Sequence, residues 1–480
     1  MSNPLIIQGG MGVGVSHWPL ARAVALEGQL GVVSGTALDL LLVRRLQVGD
    51  PGGHLRRALA AFPFPEISQR VLAKWFVPGG KSPEASFRLA PMPSAEPSPE
   101  LLELIVAGNF AEVFLAKDGH AGQIGINFLH KVQLPLLPAI YGAMLAGVDY
   151  VLVGAGIPMA VPGVLDRFAA GLEAQLPLEV EDDLGRGFVL RFGPGCLGEI
   201  RRLRRPRFLA IVSSATLAQA LARRANGTVD GLVVEMPCAG GHNAPPRGAM
   251  VLNERGEPRF GPRDVPDLAK FCALGRPFWL AGSMGTAEQL RAARRAGAAG
   301  IQVGTPFAFC EESGLDPAIK AQVLSASSAG TLDVFTDPLA SPTGFPFKVV
   351  RLENTVADPT TYAQRERLCD LGYLRTPYRK PDGSLGYRCP GEPEHLFEAK
   401  GGAQELTVGR KCLCNGLVAA VQLGQRRADG YVEPAIVTAG TDGQQLSRFL
   451  PPGQSSYSAK EVLRLILDQP VGASQQDDLP

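Results

Sequence analysis

Charge of either sign is in no excess in this sequence. Its 480 residues carry 47 Lys and Arg against 46 Asp and Glu, a formal net charge of +1. A basic surplus is what rewards general binding to nucleic acid or a membrane surface, so neither partner is expected. The one basic run, Arg201, Arg202, Arg204, Arg205 and Arg207, has no aromatic interleaving and reads as a solvated surface turn. Long apolar runs are also missing. The most apolar stretch, Leu134 to Leu165, is interrupted by Asp149 and by Pro135, Pro138, Pro158 and Pro162. A membrane helix needs about 20 continuous apolar residues, so this stretch reads as a buried helix and strand. The start, Met1-Ser2-Asn3-Pro4, has no basic or apolar leader pattern, and a cytoplasmic protein is expected. Cysteine is sparse, with eight in the chain, and reduced thiols fit that compartment. No solenoid period repeats.

What is present is one repeated theme. Eight short apolar runs, each closed by a Gly-rich or polar turn, occupy Leu5–Gln8, Leu30–Ser34, Gln123–Leu129, Tyr150–Gly154, Arg207–Ser213, Asp230–Glu235, Pro277–Ala281 and Ala299–Gly304. Continuous apolar runs of this length suit strands buried on both faces. Helical spacing follows several of them, at His17–Glu27, Ala215–Ala225, Val265–Leu274 and Thr286–Ala296. Eight strands alternating with helices in about 300 residues predict an α/β fold of the TIM (β/α)8 type. The barrel is expected over residues 1–350, with Gly49–Glu112 as an inserted helical cap and 351–480 as a Cys-containing C-terminal extension. A second excursion, Pro158–Pro206, holds a possible hairpin at Leu178–Phe192. The extension is expected to end in a helix at Ala459–Asp468 and a disordered tail.

Two Gly-rich strand ends carry the strongest chemical signal. They are Ala281-Gly282-Ser283 after the seventh run and Gln302-Val303-Gly304-Thr305 at the eighth. Loops in these positions of a barrel commonly hold a phosphate, since glycines admit its oxygens to the backbone amides and hydroxyls add donors. After the first run, Gln8-Gly9-Gly10-Met11-Gly12 offers backbone against which a flat ring can lie. It is not a dinucleotide motif, because the spacing is not G-x-G-x-x-G and the second run ends Val33-Ser34-Gly35 without an acidic residue. Asn127, at the mouth end of the third run, can hydrogen-bond a heteroaromatic edge or cap a turn. After the sixth run comes Cys238-Ala239-Gly240-Gly241-His242. An imidazole at the barrel mouth can take a proton or bind a developing anion. Cys238 reads as a buried neighbour, not a nucleophile. A phosphate, a ring surface and a histidine together fit flavin mononucleotide (FMN). Pyridoxal phosphate would need a strand-end lysine, which none of the eight runs has.

Ile7-Gln8-Gly9-Gly10-Met11-Gly12, Ala239-Gly240-Gly241-His242, Ala281-Gly282-Ser283 and Gln302-Val303-Gly304-Thr305 resemble the nitronate monooxygenase (2-nitropropane dioxygenase) family. The resemblance implies an FMN-dependent barrel enzyme that oxidises alkyl nitronates with O2. It makes His242 the catalytic residue. The cofactor residues become Gly10, Met11, Gly12, Asn127, Gly240, Gly241, Ala281, Gly282, Ser283, Gln302, Gly304 and Thr305. Two positions depart from the usual pattern: Cys238 stands where many members have Glu, and no lysine follows the fifth run, Val212-Ser213-Ser214. The long 49–112 insertion and the Val334-Phe335-Thr336-Asp337-Pro338 segment are similar to a larger-chain branch. That branch includes the trans-acting enoyl reductases of polyketide and polyunsaturated fatty-acid synthases, so NAD(P)H-dependent reduction of enoyl thioesters is the alternative activity.

Cys369, Cys389, Cys412 and Cys414 fall within 46 residues. Four thiolates can hold zinc or an iron–sulfur cluster. The spacing lacks the paired C-x2-C of zinc ribbons, and reduced, metal-free thiols are the expectation. A further reading is a non-catalytic flavin or metal module that uses this extension for partner contact.

Overall fold

The computed structural model describes residues 3–183 and 187–468. All eight apolar runs form strands of one parallel sheet: β1 (Ile6–Gln8), β2 (Gly31–Ser34), β3 (Ile124–Leu129), β4 (Tyr150–Gly154), β5 (Arg207–Val212), β6 (Gly231–Glu235), β7 (Phe278–Ala281) and β8 (Gly300–Val303). Each pairs with its neighbour in chain order, and β8 returns to β1 with Ile6 opposite Ile301. A bridge between Ile7 and Leu30, with Gln8 N–H donating to Leu30 O at 2.9 Å, joins β1 to β2 and completes the ring. The chain is a TIM barrel.

Strand alternation sorts the apolar residues into two layers. Ile7, Val32, Tyr150, Leu152, Leu209, Val233 and Trp279 point inward and fill the barrel. Their neighbours Ile6, Val33, Val151, Ala210, Val234 and Ile301 point outward under the helices. Burial of each larger aliphatic contributes roughly 1.5–3 kcal/mol. The floor is closed by Trp279, whose indole N–H donates to Pro4 O at 2.8 Å.

The outer helices start where their caps dictate. Ser214 caps Ala215–Arg224 by accepting from Leu217 N, and Thr286 caps Ala287–Arg295 by accepting from Gln289 N. The helical expectation at Val265–Leu274 shrinks to Leu268–Cys272. Pro266 biases Val265 to extended backbone, and Gly275, in the left-handed region at φ 63°, ends the helix. The basic run is not solvated throughout. Arg204 shares Asp149 with Lys117, and Arg205 pairs with Asp166 (2.5 Å) and Asp230 (2.8 Å). The excursion after β4 contains an antiparallel pair, Ala174–Leu178 with Phe188–Phe192; the expected turn between them lies partly outside the described residues, as does the expected tail. The expected final helix is present at Ala459–Leu467.

The insertion is helical, as expected. Its last helix, Pro99–Lys117, lies on the barrel flank against Leu136–Leu145, Leu38–Gln47 and Trp18–Leu26. Its irregular part braces the C-terminal segment instead. Gln425 donates to Phe87 O and accepts from Phe87 N (3.0 and 2.8 Å), and Tyr387 OH accepts from Ala95 N (2.8 Å). The C-terminal segment then passes over the barrel mouth.

Candidate functional site

The mouth loops are held by a small set of polar contacts. Gln8 continues the β1–β2 ladder with its side chain, its Oε1 accepting from Val32 N at 2.9 Å. Ser16 Oγ accepts from Met11 N and donates to Gly9 O, both at 2.9 Å, and Ser34 Oγ donates to Gly12 O. The Gly9–Gly14 loop is therefore fixed, with its backbone facing the mouth. Gly10 cannot be replaced here, because a Cβ would stand 2.5 Å from Asn127 Cβ. Gly282 (φ 102°) and Ser283 (φ 51°) both take left-handed backbone, which turns the end of β7 sharply toward the helix at 287–295.

These loops surround one cavity of about 410 Å³. It brings together every site residue expected from the sequence: Gly10, Met11, Gly12, Asn127, Gly240, Gly241, His242, Ala281, Gly282, Ser283, Gln302, Gly304 and Thr305. No residue of 49–112 lines it. Its roof comes from Phe345, Phe347, Tyr373, Leu374, Leu413, Leu417, Ile436, Thr438 and Asp442, none of which the sequence reading assigned to the site. No sequence signal pointed to them, since their approach depends on how the C-terminal segment crosses the barrel.

His242 sits on a short strand, Gly241–His242, that pairs with Phe347–Val350. Its ring meets Phe347 edge-on at 4.9 Å between centroids, and its Nε2 lies 2.7 Å from Ser341 Oγ. Burial pulls its pKa down to about 4, so the imidazole is neutral at pH 7. Glu235, at the end of β6, is pushed up to about 7 by burial, partly offset by Lys348. Lys348, itself lowered to about 8 by burial, donates to Pro237 O (2.6 Å) and Asn243 Oδ1 (3.0 Å). Lys348 thus places a cation beneath the 235–243 turn. Cys238 is half-buried with its thiol pushed up by burial, as suits a neighbour and not a nucleophile.

Three buried polar atoms at the cavity, the amide oxygens Asn127 Oδ1 and Gln302 Oε1 and the carboxylate oxygen Asp442 Oδ1, have no hydrogen-bond partner among the described residues. Such atoms are costly unless something else satisfies them, and a heteroaromatic edge would do so for the two amides. At the other end, Ser283 Oγ meets Thr441 Oγ1 at 2.9 Å and Thr305 Oγ1 accepts from Gly440 N at 2.9 Å. Asp442 stands near both hydroxyls, and burial pushes its carboxyl up.

Residues 190–339 match the family model described as Nitronate monooxygenase. Over that segment the chain is similar to the nitronate monooxygenase family. A probable nitronate monooxygenase of Bacillus subtilis (strain 168) is 33% identical over 133 residues, covering 28% of this chain and 36% of that protein. One from Staphylococcus haemolyticus (strain JCSC1435) is 30% identical over 141 residues, 28% and 38% of the two chains. The match thus spans little more than a third of either relative. Among solved structures, FabK from Thermotoga maritima aligns over 97% of this chain and 92% of its own at 15% identity and TM-score 0.49. Nitroalkane oxidase from Streptomyces ansochromogenes aligns over 97% and 95% at 14% identity and TM-score 0.45. Among the described residues, no helix is long and apolar enough to cross a membrane.

Proposed function

We propose that this chain is an FMN-dependent oxidoreductase that oxidises alkyl nitronates with O2. The observation that carries the reading is the pair of partnerless amide oxygens, Asn127 Oδ1 and Gln302 Oε1, in the same cavity as His242. The donor set fits FMN. Asn127 and Gln302 would meet the ring edge, and the backbone of Gly10, Met11 and Gly12 would support its face. Gly240 and Gly241 leave room beside it. Ala281, Gly282 and Ser283, with Gly304 and Thr305, would hold the phosphate through amides and hydroxyls. Bound FMN supplies a two-electron acceptor.

The protein's own part is positioning and exclusion of water. His242, neutral and oriented by Ser341 at Nε2, would donate its other ring N–H to a nitro oxygen, or in the opposite tautomer take the α-proton there when a neutral nitroalkane enters. Phe345, Phe347, Leu413, Leu417 and Ile436 give the substrate an apolar roof. That roof also favours the second reading, reduction of an enoyl thioester by NAD(P)H, because an acyl chain could lie along it. The test is side-by-side assay of the FMN-loaded protein. O2 consumption with a propyl nitronate supports the first reading. NAD(P)H oxidation with an enoyl thioester and no nitronate turnover would replace it with the second.

A further inference from the structure

The four cysteines after residue 368 come from three separate parts of the C-terminal segment, yet all border one small cavity of about 10 Å³. The four thiols lie close enough together to influence one another electrostatically. A donor already points at one sulfur: Cys412 Sγ receives the Asn415 side-chain amide at 3.6 Å. Amide donors to sulfur are the outer support that a thiolate–metal centre uses. Arg375 and Arg365 supply positive charge beside Cys369 and Cys412, against the net negative charge of four thiolates on a divalent ion. The surrounding elements are short: the hairpin Thr376–Arg379 with Leu385–Arg388 and the helices Glu394–Ala399 and Leu413–Ala419. Such a scaffold gains most from a cross-linking ion.

We propose that Cys369, Cys389, Cys412 and Cys414 bind one structural zinc ion. As the side chains stand, no group of three or more His, Cys, Asp or Glu among the described residues is placed to hold a metal ion. Binding therefore requires the thiols to lose their protons and turn inward to the about 2.3 Å of a zinc–thiolate bond. The centre would also set the active cavity's roof, because Leu374, Leu413 and Cys414 line both cavities.

The test uses the full-length protein, purified under reducing conditions. The expected result is one zinc per chain by elemental analysis, released when a mercurial titrates the thiols. Cobalt substitution should give the visible absorption of a tetrathiolate site. C389S and C414S should lose the metal, whereas C196S and C272S, at exposed cysteines elsewhere, should retain it. If the ligand variants fail to fold, the wild-type stoichiometry and cobalt spectrum decide alone. Absence of zinc after anaerobic reduction and zinc addition overturns the proposal. So does iron with sulfide, or a Cys369–Cys389 disulfide in metal-free protein. None of these readouts depends on flavin or turnover.

Discussion

The Nε2 of His242 and the hydroxyl of Ser341 lie 2.7 Å apart, joining the loop after β6 to the turn that precedes strand Phe347–Val350. Ser341 Oγ also meets Thr343 Oγ1 at 2.8 Å, so the hydroxyl is itself held. The imidazole direction is therefore set from outside the barrel. Ser341→Ala is expected to leave KM nearly unchanged and to lower kcat by about tenfold, the scale of one lost orienting hydrogen bond. His242→Asn should keep FMN bound and lower turnover by about 10²–10⁴-fold. Steady-state kinetics on both variants check this; equal kcat in His242→Asn and wild type would remove His242 from the reaction.

His242 and Glu235 titrate in opposite senses, and stability should show it. His242 falls to about 4 from 6.5 in the fold, so the unfolded chain takes the proton first and stability drops as pH falls from 6.5 toward 4. Glu235 rises to about 7 from 4.5, so stability drops as pH rises from 4.5 toward 7. Each contributes on the order of 2–3 kcal/mol, and between pH 4.5 and 6.5 the slopes oppose. Glu235→Gln should unmask a rise in stability with pH over that window, and His242→Gln a fall. Urea denaturation of each variant at several pH values measures the slopes. Parallel curves for all three proteins would contradict both assignments.

Asp442 bears on cofactor affinity. Its buried carboxyl stands near the hydroxyls of Ser283 and Thr305, the donors assigned to the phosphate. A carboxylate beside a phosphate repels it, so Asp442→Asn is expected to tighten FMN binding by about tenfold, or 1.4 kcal/mol. Gly304→Asp should abolish binding by adding charge and bulk where the backbone must approach the phosphate. Flavin fluorescence titration reads both. Unchanged affinity in the two variants would place the phosphate elsewhere.

The barrel was legible because its strands are buried on both faces. Ile6-Ile7, Val32-Val33 and Val233-Val234 leave no polar alternative to a parallel sheet. The Gly-rich ends were legible because a sharp strand-to-helix turn needs residues such as Gly282, and that requirement is local. The roof was not. Phe347 and Leu413 are ordinary apolar residues in sequence, and only the crossing of the C-terminal segment brings them to His242. Lys348 was missed for the same reason: its partners Pro237 and Asn243 are more than a hundred residues away. Long-range placement of single side chains leaves no periodic trace.

The roof's attachment is the remaining expectation. Tyr373 lines the cavity, and its hydroxyl donates to Asp39 Oδ2 at 2.7 Å on the helix Leu38–Gln47. Both groups are buried, and burial raises the Asp39 carboxyl. Nearby, Arg44 donates to Leu423 O, a second tie from the same helix to the C-terminal segment. Tyr373→Phe keeps the ring but leaves Asp39 without its hydroxyl donor in a dry site. The expected cost is about 1–3 kcal/mol of stability, the price of an unsatisfied buried acceptor. Asp39→Asn restores a neutral partner and should recover part of that loss in the double variant. Because the tie anchors the roof, Tyr373→Phe should also raise KM more than it lowers kcat. Chemical denaturation and steady-state kinetics on the single and double variants give the coupling; strict additivity would show that the two residues do not act together.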